Sequence, residues 1–218
     1  MPKTVAIIPA RYASTRLPGK LIKNEAREHT GKYLIEHVYE NVMNAKNIHE
    51  VIVATDDELI AEAVKKFGGC VKMTSTSHKS GTDRIAEVAS NLDADFVMNI
   101  QGDEPDVKGR MIDDLIESMY DEKEAVVCTF ANKIKSMEEF TDPNAVKVVI
   151  DKDSYAMYFS RATIPYIRDE NSNPKFSKLE STSDTVNTGS NTSFLFLRVD
   201  KLAFIQVSSS FSPAKYPY

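Results

Sequence analysis

Residues 5–20 constrain the fold of this chain more than any other stretch, and they read V-A-I-I-P-A-R-Y-A-S-T-R-L-P-G-K. The apolar run 5–8 has the length and the β-branched content of a buried strand. Pro9 is expected to end that strand, because proline cannot donate a hydrogen bond to a neighbouring strand. The chain therefore opens with a buried strand that leads directly into a polar loop.

That loop carries three cations, Arg11, Arg16 and Lys20, separated by small and hydroxyl-bearing residues. Arginine offers a planar fork of donors and lysine a compact charge, and together they can hold a polyphosphate while its charge redistributes. The loop matches neither the G-x-x-x-x-G-K-[ST] pattern of a P-loop nor the G-x-G-x-x-G of a dinucleotide-binding turn. The alternative is a solvated basic loop without a ligand, since charged residues are mostly exposed.

The composition is that of an ordinary globular protein, with 42% hydrophobic and 27% charged residues among 218. This length accommodates one large α/β domain, or one domain with a small appendage. A net charge of -5 argues against a protein that coats nucleic acid. No apolar run reaches the length of a membrane span and the amino-terminus lacks a secretory signal, so the cytoplasm is the default location. Cys70 and Cys128 are too few and too far apart for a metal cage or a disulfide framework, and both are expected to be buried thiols.

Helices and strands alternate along the next part of the chain. Apolar residues at helical spacing predict helices, and short apolar runs predict strands between them. The predicted helices are 31–45, 59–67, 85–92 and 111–120, and the predicted strands are 51–54, 71–73, 96–100 and 125–130. Such alternation is typical of an α/β fold, in which crossover helices connect the strands of a parallel sheet. Ligands of these sheets bind at the carboxyl ends of the strands.

Polar residues follow two of these strands. Thr55, Asp56 and Asp57 either cap the next helix or belong to a site, and the cap is the commoner role for such residues. The loop 74–84 reads T-S-T-S-H-K-S-G-T-D-R, and its hydroxyls suit the recognition of a nucleobase. Within it, His78 is expected to be an exposed or hydrogen-bonding loop residue, because no acidic partner is evident beside it.

The segment 101–105, Q-G-D-E-P, follows an apolar strand and brings two carboxylates to its carboxyl end. Magnesium prefers hard oxygen ligands and is commonly held by one or two carboxylates together with substrate phosphates. Asp103 fits that role. On its own the pattern is weak, and a turn that caps a helix is the alternative.

Two further cations lie in apolar surroundings past residue 140. Residues 142–150, D-P-N-A-V-K-V-V-I, predict a turn and then a strand with Lys147 in its middle. A lysine inside an apolar strand is uncommon unless it is paired or reaches a ligand. Arg161 lies within Y-A-M-Y-F-S-R-A-T-I-P-Y at 155–166, where it can clamp a carboxylate or stack on an aromatic ring.

Taken together, these motifs resemble those of the sugar nucleotidyltransferases, and most closely those of the CMP-Kdo synthetases (3-deoxy-manno-octulosonate cytidylyltransferases). The resemblance rests on R-Y-A-S-T-R-L-P-G-K, S-G-T-D-R, Q-G-D-E-P and the segments 142–149 and 155–166, with Asp142 and Met157 as departures. It implies a three-layer α/β fold of the nucleotide-diphospho-sugar transferase type, with a mostly parallel, mixed sheet flanked by helices. It also implies transfer of CMP from CTP to 3-deoxy-D-manno-octulosonate (Kdo), which releases pyrophosphate and supplies lipopolysaccharide biosynthesis.

The resemblance further implies a role for each matching residue. The catalytic residues are Arg11, Lys20 and Asp103, and Asp103 also binds the cofactor Mg²⁺. The nucleotide-binding residues are Arg11, Ser14, Arg16, Lys20, Thr74, Ser80 and Gly81. The sugar-acid-binding residues are Arg84, Gln101, Lys147 and Arg161. CTP and Kdo are the expected partners, with a homodimer as the family's assembly and neither nucleic acid nor membrane bound.

The resemblance ends near residue 167, so we expect a catalytic domain at 1–167 and an atypical, partly disordered or truncated continuation of it at 168–218. Residues 168–192 are polar and predict a long loop, while 194–199 and 202–207 predict a strand and part of a helix. The family's sugar-contacting histidine and its second metal-binding aspartate have no counterpart here. We expect a truncated or damaged end rather than a divergent homologue. The functional alternatives are a catalytically impaired CTP-binding homologue and a cytidylyltransferase for another acid sugar.

Overall fold

Two β-sheets and six α-helices make up the described part of this chain, in a computed structural model that covers residues 2–12, 18–132, 134, 136–168, 192–197 and 204–207. The strands are β1 (Thr4–Ala10), β2 (Glu50–Thr55), β3 (Cys70–Met73), β4 (Phe96–Ile100), β5 (Val127–Asn132), β6 (Lys147–Ile150), β7 (Ala156–Ser160), β8 (Thr192–Leu197) and β9 (Phe204–Val207). The helices are α1 (Asn24–Thr30), α2 (Leu34–Met43), α3 (Glu58–Lys66), α4 (Gly81–Ala89), α5 (Gly109–Asp121) and α6 (Met137–Thr141), and a 3₁₀ turn lies at Lys20–Ile22.

The larger sheet has seven strands in the order β3-β2-β1-β4-β9-β5-β8. Its neighbours pair in parallel except for β8, which runs antiparallel to β5. The smaller sheet consists of the antiparallel pair β6 and β7. The prediction of a mostly parallel, mixed sheet flanked by helices is therefore confirmed.

Strand β1 lies in the middle of the sheet and is buried on both faces. Ala6, Ile8 and Ala10 belong to the core that α2, α3 and α5 cover. Val5 and Ile7 point to the opposite face, where they pack with side chains of α4. Since successive side chains of a strand alternate between faces, this single apolar run contributes to both cores and produces the three layers.

The expectation that Pro9 ends the first strand is wrong. Strand β1 continues to Ala10, and Pro9 is paired with Ala54 of β2. On the other side of β1, the pairing with β4 stops at Ile7. Pro9 is tolerated because it lies past the end of the pairing between β1 and β4, where no backbone N–H of β1 has to donate to β4.

Several other segments differ from the sequence-based expectation. Helices α1 and α6 and strand β7 were not predicted, and α4 begins at Gly81 rather than at residue 85. Strand β9 replaces the expected piece of helix at 202–207, because parallel pairing with β4 and β5 makes it a strand. Lys147 begins β6 instead of lying in its middle. Of the predicted polar loop 168–192, residues 169–191 lie outside the described residues.

Two predictions from composition can be compared with the structure directly. Cys128 is buried as expected, whereas Cys70 is only half-buried, and the two do not form a disulfide. In the part of the chain that the structure describes, no helix is both long and apolar enough to cross a membrane.

Candidate active site

The carboxyl ends of the parallel strands place most of the predicted site residues along one edge of the sheet. Arg11 follows β1, Thr74 follows β3, and Gln101 and Asp103 follow β4. The turn after β4 lies against the end of β1, since a Cβ added at Gly102 would be in van der Waals contact with the carbonyl oxygen of Pro9, at 3.4 Å. Two of the candidate loops are therefore adjacent.

Two of the predicted catalytic side chains, Lys20 and Asp103, form an ion pair, with Nζ 3.3 Å from Oδ2. The first loop returns towards the sheet through Gly19, whose φ of 68° favours glycine and whose amide donates to the carbonyl of Tyr12 over 2.8 Å. The side chains of Lys20 and Asp103 are 45% and 36% exposed to solvent. Both charges are therefore accessible to a ligand that arrives from solvent.

Arg11 connects the first loop to the loop before α4. Its two terminal nitrogens donate to the carbonyl oxygens of His78 and Lys79 over 2.7 and 2.9 Å. Its Nε is buried without a hydrogen-bond partner among the described atoms. The other two predicted residues of this loop, Ser14 and Arg16, lie outside the described residues, so their predicted roles remain predictions.

Helix α4 begins with a capping box built by Ser80 and Asp83. The hydroxyl of Ser80 accepts from the amide of Asp83, and the carboxylate of Asp83 accepts from the Ser80 amide over 3.0 Å and from its hydroxyl over 2.7 Å. These hydrogen bonds hold the pKa of Asp83 below its ordinary value, and the bond from the Ser80 hydroxyl has the largest effect. Gly81 follows, and a Cβ there would lie 3.3 Å from Cγ of Pro9. The helix start is thus fixed against the end of β1.

His78 has an acidic partner, which the sequence did not make evident. Its Nε2 contacts the Glu87 carboxylate, nine residues further along on α4. The same carboxylate accepts from the amide of Ser75 over 3.0 Å. The pKa of the Glu87 carboxylate is lowered mainly by the hydrogen bond from the Ser75 amide and secondly by the contact with His78. The pair joins the two ends of the loop, a connection that no local sequence pattern signals.

Arg84 is fully buried at the same edge of the sheet. Its Nη2 lies 2.7 Å from Oδ2 of Asp56, and its Nη1 donates to the hydroxyl of Thr74. The neighbouring Asp57 is the cap of α3, since its carboxylate accepts from the amide of Ile60 over 3.1 Å. The cap prediction is therefore confirmed for Asp57, whereas Asp56 pairs with Arg84 instead.

Gln101 and Asp103 follow β4 with different surroundings. The Gln101 amide donates to the side-chain oxygen of Asn99 over 2.9 Å. The described residues contain no group of three His, Cys, Asp or Glu side chains that could hold a metal ion. An accessible carboxylate such as Asp103 nevertheless fits Mg²⁺, because that ion commonly takes one or two protein carboxylates and completes its shell with substrate phosphates and water.

Lys147 and Arg161 lie together, on the smaller sheet. Lys147 Nζ donates to the carbonyl oxygens of Asp142 and Ala145 over 2.8 and 2.7 Å, and Arg161 donates to that of Pro143 over 2.8 Å. Burial lowers the pKa of the Lys147 ammonium, which the nearby Asp142 carboxylate opposes. Their hydrogen bonds are thus made within their own segment, and the structure does not join them to the Lys20–Asp103 pair.

Comparisons with known proteins converge on one family. The family model of the cytidylyltransferases matches residues 5–196. A 3-deoxy-manno-octulosonate cytidylyltransferase of Geobacter metallireducens is 51% identical over 168 residues, which are 77% of this chain and 65% of that protein. The enzyme of the same name from Thermodesulfovibrio yellowstonii is 47% identical over 178 residues, which are 77% of this chain and 67% of that protein.

Solved structures give the same picture. The structure of a CMP:2-keto-3-deoxy-manno-octonic acid synthetase complexed with CTP superposes with a TM-score of 0.68 and 42% identity, covering 77% of this chain and 67% of the other. A cytidylyltransferase from Leptospira borgpetersenii shares the fold, with a TM-score of 0.51, 22% identity and coverage of 62% and 56%. The chain spans less than two thirds of the length of the Geobacter relative.

Proposed function

Because this chain belongs to the cytidylyltransferase family, we propose that it transfers CMP from CTP to 3-deoxy-D-manno-octulosonate, forming CMP-Kdo and pyrophosphate. The observation that carries this proposal is the identity of about half of the matched residues with proteins named for that reaction. The similarity to a structure that is named as complexed with CTP supports the choice of nucleotide.

In the proposed reaction, the anomeric hydroxyl of Kdo attacks the α-phosphorus of CTP. A new P–O bond forms to the sugar oxygen, whose proton passes to solvent, while the bond between the α-phosphorus and the bridging oxygen breaks and pyrophosphate leaves with the electron pair. Negative charge builds up on the departing oxygens, so cations fixed around them lower the barrier. Arg11 and Lys20 at the carboxyl edge, with Arg16 of the same loop, are the proposed cations.

The proposed nucleotide site extends along the same edge of the sheet. Ser14 belongs to the first loop, while Thr74, Ser80 and Gly81 surround the start of α4. Exposed backbone amides at a helix start bind phosphates and other anions. We assign these residues to CTP together with the three cations.

Asp103 is the residue that we propose holds Mg²⁺, together with the phosphates of CTP. When bound, the ion would neutralise charge on the triphosphate and on the leaving pyrophosphate. Lys20, which lies beside Asp103 in this structure, would then be available to the phosphates. Little acid–base work is asked of the protein, because a pyrophosphate that is neutralised by cations is already a good leaving group.

The sugar acid is proposed to lie beyond Asp103, with Gln101 as its contact at the sheet edge. Lys147 and Arg161 supply two positive charges that suit its carboxylate. In this structure both contact carbonyl oxygens of the segment 142–145. Binding of the sugar through them therefore requires them to exchange those carbonyls for the ligand.

The setting of the reaction is proposed from the family resemblance. CMP-Kdo is the activated sugar that lipopolysaccharide biosynthesis consumes, and that supply would take place in the cytoplasm. A homodimer is the proposed assembly. Light scattering at micromolar concentration checks it, and a single species with the mass of one chain would refute it.

A coupled pyrophosphate-release assay tests the proposed function. With Mg²⁺ present, we expect release that requires both CTP and Kdo and that falls when GTP, ATP or sialic acid replaces either substrate. Binding of CTP without release would instead identify a catalytically impaired CTP-binding protein. Release with another acid sugar but not with Kdo would identify a cytidylyltransferase of different specificity.

A further inference from the structure

Arg84 is the described charged side chain with the least contact with solvent, at 0% exposure. Burying a charge is costly unless it is paired, and breaking such a pair leaves the remaining charge uncompensated. Arg84 is paired with Asp56, and its other terminal nitrogen donates to Thr74. Both terminal nitrogens of Arg84 are therefore engaged by side chains of the protein itself, while its Nε is buried without a hydrogen-bond partner among the described atoms.

The partners of Arg84 belong to different strands. Asp56 follows β2 and Thr74 follows β3, while Arg84 lies in the first turn of α4. The two strand ends are also joined by the amide of Thr74, which donates to the carbonyl of Thr55 over 2.9 Å. Arg84 therefore fixes the start of α4 to the ends of two strands of the sheet.

The start of α4 in turn positions residues of the proposed nucleotide site. Ser80 and Gly81 lie there. Just before them, the carbonyl oxygens of His78 and Lys79 accept hydrogen bonds from the two terminal nitrogens of Arg11. A displacement of this helix start would move the groups that hold the Arg11 guanidinium. Errors of about 1 Å in such positions cost large factors in rate or affinity.

From these contacts we infer that Arg84 is a positioning residue that acts through Asp56 and Thr74, and not a ligand of the sugar acid. It sets the start of α4, and through it Arg11 and Ser80, for the nucleotide. This inference rests on the proposed function for its substrates, and it replaces the role that family resemblance gave to Arg84.

Two substitutions separate positioning from direct binding. Arg84→Met keeps the length of the side chain without its charge, and Asp56→Asn keeps the shape of the partner. If Arg84 positions α4, each single variant should bind CTP about tenfold more weakly or worse, as measured by calorimetry. The double variant should bind CTP no more weakly than the single variant with the lower affinity, because both substitutions break the same ion pair. Arg110→Met, on the exposed side of α5, is the matched control and should bind CTP like the unaltered chain.

Steady-state kinetics of the same variants can contradict the inference. An Arg84→Met chain that raises KM for Kdo alone, beside an Asp56→Asn chain with unchanged constants, would show that Arg84 contacts the sugar acid and would overturn the inference. If Arg84→Met does not fold, as judged by loss of a cooperative thermal transition, Asp56→Asn carries the test with the same expected loss of CTP affinity, because Asp56 is not assigned to the nucleotide.

Hydrogen exchange of the nucleotide-free chain keeps the inference separate from the proposed function. In Asp56→Asn, amides of Ser80 and Asp83 should exchange about tenfold faster, while those of α5 keep their rates. Unchanged exchange at α4 would overturn the positioning role even if the chain makes CMP-Kdo. Faster exchange would support it even if the unaltered chain releases no pyrophosphate.

Discussion

Asp103 is the single residue on which most of the proposed chemistry depends. Its carboxylate pairs with Lys20 at an exposed edge, so the pair contributes only about 0.2–1 kcal/mol to folding. The pair is therefore a minor contributor to stability. In the proposed function, the Asp103 carboxylate instead serves Mg²⁺ that arrives with a nucleotide.

Replacing Asp103 should separate activity from stability. Asp103→Asn is expected to lower the rate of pyrophosphate release by about 10²–10³-fold, because the proposed protein ligand of the Mg²⁺ that would neutralise the phosphates is lost. The thermal midpoint should stay nearly unchanged. Asp93→Asn is a matched control, since Asp93 also pairs with an exposed lysine, Lys3, over 3.5 Å. A rate equal in both variants would contradict the role of Asp103.

The capping box at Ser80 predicts a pH dependence of stability. Because hydrogen bonds from Ser80 hold the pKa of folded Asp83 below its ordinary value of 3.8, the ionised carboxylate stabilises the fold above that value. That stabilisation is lost as pH falls through the lower, folded pKa. The nearby charges of His78 and Arg11 also lower the pKa of the Asp83 carboxylate.

Urea unfolding of the Asp83→Asn variant measures this contribution. The unaltered chain should be the more stable of the two at about pH 6, and the difference should shrink by about pH 3. A difference that is the same at both pH values would show that the Asp83 charge is not what stabilises the start of α4.

At the scale of elements, close packing between helices supplies a prediction about α5. A Cβ at Gly109 would lie 2.7 Å from backbone atoms of Asn44 and Ala45, at the end of α2. Gly109→Ala must therefore push the two helices apart, and we expect a loss of about 1–3 kcal/mol in the free energy of unfolding. Lys108→Ala, one residue earlier and exposed, should change it little. A Gly109→Ala chain as stable as that control would refute the packing argument.

The elements that sequence reasoning predicted are those with a strong local pattern. The alternation of apolar strands and amphipathic helices through residue 120 predicted the parallel sheet. Strand β9 was missed because four residues carry no decisive periodicity, and its place depends on pairing with β4 and β5. Pro9 was misplaced because the shorter ladder of β4 is a tertiary feature.

The site shows the same division. Arg11 and Asp103 were expected at one edge of the sheet because each follows a parallel strand, whereas their catalytic roles and that of Lys20 were implied by the family resemblance and stay predictions. The pair Arg84–Asp56 was not predicted because the crossover through α4 brings its two partners together, and the pair His78–Glu87 was not predicted because it depends on how the loop folds back on α4. Local sequence does not encode such contacts.

At the scale of the whole molecule, β9 connects the two parts of the large sheet. It lies between β4 and β5, so β5 and β8 join the other strands through it. The smaller sheet contacts the larger one beside β8. The segment 204–207 is therefore expected to determine whether the two parts fold as one unit.

A proline in β9 tests this connection. Gln206→Pro removes a backbone donor from a strand with neighbours on both sides, and we expect a loss of about 3 kcal/mol or more and a tendency to aggregate. Lys152→Pro is the control, because Lys152 is the second residue of a turn in which Ser154 donates to the carbonyl of Asp151, a position that accepts proline. Equal stability of the two variants would contradict the central place of β9.

The central claim is that this chain joins CMP to Kdo at the carboxyl edge of its sheet. Phosphorus NMR of a mixture of the chain, CTP, Kdo and Mg²⁺ follows every phosphate of the reaction at once. The claim predicts that the CTP signals decline while a phosphodiester signal and a pyrophosphate signal grow in equal molar amounts. Persistence of the CTP signals, or their conversion to CDP and inorganic phosphate without a phosphodiester, would contradict it.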